Sequence, residues 1–169
     1  IEGMNKRMIL RILGIILMLE AAFLLLPVLV AVIYRERAGW YYLYAALGCA
    51  ALGLILWRGC RTSLRTIYAR EGLVTVALCW IVLSLAGALP FTLCGDIPYY
   101  LDAVFEMVSG FTTTGSSILP NVELLNHCSL FWRSFSHWIG GMGILVFMLA
   151  IVNMEGGQAI HLLRAESPG

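Results

Sequence analysis

Four stretches of this chain, residues 8–34, 40–57, 72–94 and 130–153, stay apolar over 18 to 27 consecutive positions with few charges. A hydrocarbon layer about 30 Å thick is crossed by roughly 20 such residues in a helix, so these runs restrict the chain to a membrane-embedded, helical class. Charged residues make up 12% of the chain, against about 25% in a soluble domain, and the mean hydropathy is +0.87. The fold expected is an all-α membrane protein of four transmembrane helices, with membrane lipid as its first partner. The net charge of +1 carries no message about nucleic acid, because the basic residues are scattered beside the apolar runs rather than gathered into one patch, and no nucleic-acid partner is expected.

Ile1–Gly3 read as a remnant ahead of a natural start at Met4, and the apolar run that follows is too long for a removable signal peptide. The five cysteines (Cys49, Cys60, Cys79, Cys94, Cys128) show no metal-ligand spacing. Five free thiols are expected, with a Cys94–Cys128 bridge as the alternative.

Arginines set the orientation. Lys6, Arg7 and Arg11 precede the first run, and Arg58, Arg61, Arg65 and Arg70 lie between the second and third, whereas the first hairpin has Arg35 and Arg37 against Glu36. By the positive-inside rule both termini are cytoplasmic. The same rule puts the connection between the third and fourth runs outside, with Asp96, Asp102, Glu106 and Glu123 near a single Arg133.

That connection, 95–129, is far longer than an ordinary helix–helix link. It contains YYLDAVFEMVSGF at 99–111, apolar and helix-prone but too short to cross. The path expected is a re-entrant half-helix, started at Asp96 and Pro98 and stopped at Gly110, then an extended return through TTTGSS at 112–117. Non-helical backbone at membrane depth survives only where it is buried in protein or lines a watery cavity. A strand of hydroxylated residues and glycine, at the negative end of a helix dipole, suits a dehydrated cation: carbonyl and hydroxyl oxygens replace lost water, and Gly115 opens backbone angles closed to other residues.

The segment SGFTTTGSS, followed by WRSFSHWIGGMGILV, resembles the first membrane-pore-membrane repeat of the Trk/Ktr/HKT superfamily of potassium transporters. The two leading helices and the closing RAESPG resemble its bacterial Trk-type pore-forming branch. The resemblance implies four such repeats in one chain around one pore, with K+ as the transported ion and no organic cofactor. It implies a filter of Thr112, Thr113, Thr114, Gly115 and Ser116, acting mainly through backbone carbonyls. A serine at the glycine's place in the first repeat goes with sodium preference in that superfamily, so Gly115 implies potassium. It further implies a bacterial inner-membrane location, a homodimer of pore subunits and a cytosolic nucleotide-binding regulatory subunit. The chain holds one such unit, so its organisation reads as two peripheral helices at 4–66, one repeat at 67–157 and a cytoplasmic linker at 158–169 toward three absent repeats. A homotetrameric cation channel and a membrane scaffold without transport remain alternatives.

Other residues carry narrower readings. Ser136, Gly140 and Gly143 fall at i, i+4 and i+7 on one helix face, which permits close packing, while the Gly140–Gly141 pair permits a gating bend. Glu20 lies mid-span, where an unpaired carboxylate costs on the order of 3 kcal/mol; it reads as hydrogen-bonded to a neighbouring helix, or as part of a proton or ion path. Ser136 and His137, adjacent on a helix, do not face each other as nucleophile and base must, and no enzyme is expected. His127 and His161 read as solvated. Asp102 and Glu106, at i and i+4, read either as a cation-concentrating pair at an outer mouth, or as a solvated helix face or an ion pair with Arg133.

Overall fold

The computed structural model describes residues 6–60 and 69–154. Ile1–Gly3, Arg61, Arg65, His161 and the 158–169 linker with its RAESPG lie outside those residues. The described chain is helical, in the order α1 (Lys6–Tyr34), α2 (Gly39–Gly59), α3 (Ala69–Leu93), α4 (Tyr100–Phe111), a 3-10 turn (Val122–Leu124) and α5 (His127–Met154). Three of these helices, α1, α2 and the 70–93 part of α3, are long and apolar enough to cross a membrane; α5 has 28 residues. Only 33%, 33% and 22% of the three apolar windows is buried inside the chain. Leu29, Ile55, Ile81 and many others therefore point outward, an apolar surface untenable in water and ordinary in lipid.

Lipid supplies no hydrophobic drive between helices, so close approach must come from small residues. The α1–α2 hairpin follows this rule. A Cβ on Gly14 would lie 2.7 Å from the Gly53 carbonyl oxygen, and one on Gly53 would lie 2.6 Å from that of Gly14. Ala21, Ala31, Ala45, Ala46 and Cys49 continue the seam. Pro27 is fully buried within α1, which runs through it without interruption.

α1 stops in a left-handed turn at Arg35, φ +56°, with Glu36 N–H bonded to Ala31 C=O and Arg35 N–H to Val32 C=O. This Schellman pattern satisfies carbonyls the helix leaves open. It also delivers Glu36 to the start of α5, where its carboxylate accepts the N–H groups of His127 (2.8 Å) and Cys128 (3.2 Å). The cap thus comes from a residue 91 positions earlier. Glu36 Oε1 is also 2.7 Å from His127 Nδ1, and Tyr34 stacks on the His127 ring at 4.0 Å. His127 is exposed, yet engaged rather than merely solvated. Partial burial works to raise the Glu36 pKa, but the hydrogen bonds from His127 and Cys128 prevail and hold it below the usual carboxylate value.

A second junction pins the same end of the bundle. Tyr42 of α2 donates to Ser129 Oγ (2.8 Å), Ser129 donates to Asp96, and Asn126 Nδ2 bonds both Asp96 oxygens at 3.0 and 3.1 Å. Asp96 is therefore the centre of a network rather than the start of α4, which begins at Tyr100 behind an extended Tyr99 without a side-chain cap. Cys94 Sγ bonds Asp96 at 3.3 Å, and all five cysteines stand as free thiols.

Candidate ion site

α4 carries apolar residues on one side and packs between α3 and α5. Ala103 and Met107 are fully buried beside Phe91, Ala88 and Trp132, and Tyr100 donates to the Leu85 carbonyl at 2.6 Å. Its far end meets the middle of α5. A Cβ on Gly110 would lie 2.0 Å from Ser136 Oγ, and one on Gly140 would lie 2.1 Å from the Phe111 carbonyl oxygen. Gly140 is 13 residues past His127, about 20 Å along the helix at ~1.5 Å per residue. On the other side Phe111 faces Trp80, their ring centroids 5.8 Å apart. The segment that leaves α3 at Leu93 thus runs back about half the length of α5, then returns to α5's first residue.

The Ser136, Gly140 and Gly143 face is a packing face: Gly143 lies under Trp80, where a Cβ would come 2.7 Å from the ring. Gly141 faces open space, and α5 is a continuous helix through the pair. Gly110 does not stop α4. The helix continues to Phe111 and closes on a Schellman motif one turn later, with Thr114 N–H on Ser109 C=O and Thr113 N–H on Gly110 C=O, both 3.0 Å. The left-handed position belongs to Thr113, φ +56°. A β-branched residue is a genuine outlier there, at about 1–2 kcal/mol. Backbone strain of this sort persists where the surroundings over-determine it, and it clusters at functional sites.

Beyond it Thr112–Ile118 are exposed on the chain's own surface. Thr112 Oγ1 donates to Val108 C=O (2.7 Å) and lies 2.8 Å from Thr114 Oγ1. Gly115 takes φ +78° with no atom near a would-be Cβ. Among the described residues no hydrogen bond ends on the carbonyls of Thr113, Thr114 or Gly115, whereas Ser116 C=O accepts from Ser109 Oγ at 2.5 Å. Among those residues, too, no cluster of His, Cys, Asp or Glu could hold a metal ion. Any cation here would meet carbonyl and hydroxyl oxygens.

The segment that follows is fixed by Glu106, buried to 1% exposure. Its Oε1 accepts from Ser117 Oγ (2.6 Å) and Ile118 N–H (2.5 Å), and its Oε2 from Arg133 Nε (3.0 Å). The ion pair with Arg133 is thus the reading that holds for Glu106, and the outer-mouth pair does not form; Asp102 stays partly exposed in the first turn. Sequence reasoning missed Glu106 and Ser109 as anchors of the return. One signal was present: Glu106 and Gly110, four apart, share a helix face, and the glycine marks that face as the packed one.

A short helix ending half-way along its neighbour, on a hydroxyl-rich turn with open carbonyls, invites comparison with known cation transporters. Residues 43–169 match the TrkH family, described as cation transport protein. This chain belongs to that family. It is 41% identical over 167 residues to the Trk system potassium uptake protein TrkH of Salmonella typhimurium strain LT2, covering 98% of this chain and 35% of the relative. It is 39% identical over 159 residues to an uncharacterised cation transporter of Methanocaldococcus jannaschii, covering 94% of this chain and 33% of that one. The crystal structure of the potassium transporter TrkH from Vibrio parahaemolyticus superposes with a TM-score of 0.83 at 37% identity, over 88% of this chain and 32% of that one. The chain spans about a third of the length of these relatives.

Proposed function

We propose that this chain supplies one quarter of the potassium filter of an uptake system in the bacterial inner membrane. The observation that carries the proposal is the set of unpaired carbonyls at Thr113, Thr114 and Gly115, held at the end of α4 by the Schellman turn on one side and Glu106 on the other. α1, α2, α3 and α5 cross the bilayer with both termini cytoplasmic, α4 re-enters from outside, and 112–116 form the extended filter. The negative end of α4 and the oxygens of Thr112–Gly115 replace hydration water on K+. Ser116 helps with the one lone pair its carbonyl keeps after bonding Ser109.

One quarter of a ring selects nothing alone, and relatives nearly three times longer support three further repeats in the intact chain over a homotetramer. A bend of α5 at Gly140–Gly141 would gate the path. From the family resemblance, the pore subunit forms a homodimer and meets a cytosolic nucleotide-binding regulatory subunit on the side of Arg58 and Arg70. The test is potassium uptake by the full-length protein in cells lacking their own uptake systems. Gly115→Ser should lower the preference for potassium over sodium, and Gly115→Arg should abolish uptake; unchanged uptake and preference in both would remove Thr112–Ser116 from the ion path.

A further inference from the structure

Buried polar side chains need hydrogen-bond partners, and a hydroxyl inside a helix commonly finds one in its own preceding turn. Thr75, Ser84 and Ser136 do so, each donating to a carbonyl three or four residues earlier. Glu20, 2% exposed, has no partner for either carboxyl oxygen, so the bond expected from a neighbouring helix is not made. Ser109 departs from both patterns: buried on α4, it sends its hydroxyl seven residues forward, to the Ser116 carbonyl at 2.5 Å.

Ser109 also accepts the Thr114 N–H on its own carbonyl at 3.0 Å, so one residue holds both flanks of Gly115. The C=O and N–H of a planar trans peptide point opposite ways, and the Thr113–Thr114 peptide is trans. The Thr113 carbonyl is therefore turned away from Ser109, while the Ser116 carbonyl is drawn toward it. Gly115 stands between them at φ +78°, with no atom within 4 Å of where a side chain would start, and a glycine swings easily unless its neighbours are held. Glu106 holds Ser117 by its hydroxyl and Ile118 by its N–H, which leaves the direction of the Ser116 carbonyl to Ser109.

We infer that Ser109 is a positioning residue for ion selection: its hydroxyl occupies one of the two lone pairs of the Ser116 carbonyl and fixes where the other points, so that the oxygens of Thr114, Gly115 and Ser116 keep a spacing suited to potassium. The inference rests on the filter proposed above and adds the residue that sets its discrimination. Freed of the hydroxyl, the Ser116 carbonyl regains both lone pairs and can swing onto a smaller ion. Sodium gains whether selectivity comes from cavity size or from ligand field strength, since the cavity loosens and the field at that oxygen rises.

The experiment measures rubidium influx into proteoliposomes of the full-length protein, with potassium or sodium as competitor, for the parent, Ser109→Ala, Ser109→Cys, Ser84→Ala and Gly115→Ser. Ser109→Ala should make sodium about two- to tenfold more effective relative to potassium, the factor that one lost hydrogen bond carries; a loss of folded protein alone would lower influx and leave that ratio where it was. Ser109→Cys, similar in size but a weak donor, should shift the ratio less in the same direction, and it carries the test if the alanine variant does not fold. Ser84→Ala loses a hydroxyl bonded within its own helix and should keep the parent's ratio; an equal shift there would overturn the inference. So would a parental ratio in Ser109→Ala, or in Ser109→Cys where only that variant folds, and if Gly115→Ser still lowers the preference for potassium the filter stands without Ser109. A parental ratio in Gly115→Ser overturns the filter and this inference with it.

Discussion

Removing the Glu106 side chain is the sharpest perturbation of the proposed filter, because one carboxylate holds three groups at once. Glu106→Ala deletes two hydrogen bonds to the 112–118 segment, from Ser117 Oγ and Ile118 N–H, and strips Arg133 of its partner. Each hydrogen bond to a charged acceptor contributes about 1.5–3 kcal/mol, and breaking a buried ion pair from one side costs about 3–5 kcal/mol. These effects share one residue and do not add, and Arg133 keeps some solvent access, with 18% of its side chain exposed. A loss of about 3 kcal/mol is the reasonable expectation. It would fall on the placement of 112–118 rather than on the α1–α2 hairpin, which Glu106 does not touch. Glu106→Gln retains an oxygen for Ser117 and Ile118 but turns a donor NH2 toward Arg133, losing both the charge and the acceptor there, so it separates anchoring of the return segment from ion pairing. The assay is rubidium influx into proteoliposomes of the full-length protein, competed with potassium or sodium, alongside thermal unfolding. Glu106→Ala should lose both influx and selectivity, Glu106→Gln should retain selectivity at reduced influx, and Asp102→Asn should behave like the parent. If Glu106→Ala folds and discriminates between potassium and sodium as the parent does, the anchoring argument fails.

Gly140→Ala should destabilise the protein by 2 kcal/mol or more, roughly the cost of forced overpacking, because its methyl would collide with Phe111 backbone; Gly141→Ala, facing open space, should leave the unfolding temperature within about 2 °C of the parent. The Glu36 cap gives a pH dependence whose sign follows from its lowered pKa: the cap's contribution is complete above the ordinary carboxylate pKa and is lost as pH falls through the folded-state value. Amide exchange at His127 and Cys128 should therefore rise on acidification once intrinsic rates are divided out, and Glu36→Gln should flatten that rise. Tyr42→Phe leaves Ser129 without its donor from α2 and should lower stability by about 1 kcal/mol, measured by thermal unfolding; no change would mean that the junction at Asp96 holds without α2.

Much of this architecture follows from local chemistry. The lengths of the apolar runs place the long helices, since a run must match the thickness it crosses and the backbone must satisfy itself within each segment. The 12 or so apolar residues before TTTG, too few to cross, likewise dictate a short α4. The face of Ser136, Gly140 and Gly143 was legible because helical spacing alone brings those positions together. What the sequence could not decide was partnership across distance. Whether Glu106 would pair with Asp102's field or with Arg133, whether Asp96 would start a helix or gather Ser129 and Asn126, and whether Glu36 would cap a helix 91 residues later depended on which ends of which helices meet. The stop at Thr113 rather than Gly110 has the same origin: Gly110 is consumed in letting α4 approach Ser136, so the left-handed turn falls to the next residues. Local periodicity fixes which face of a helix is apolar or bare; only the packed chain, where a buried charge or carbonyl must find a partner or stay open, determines what each polar group does.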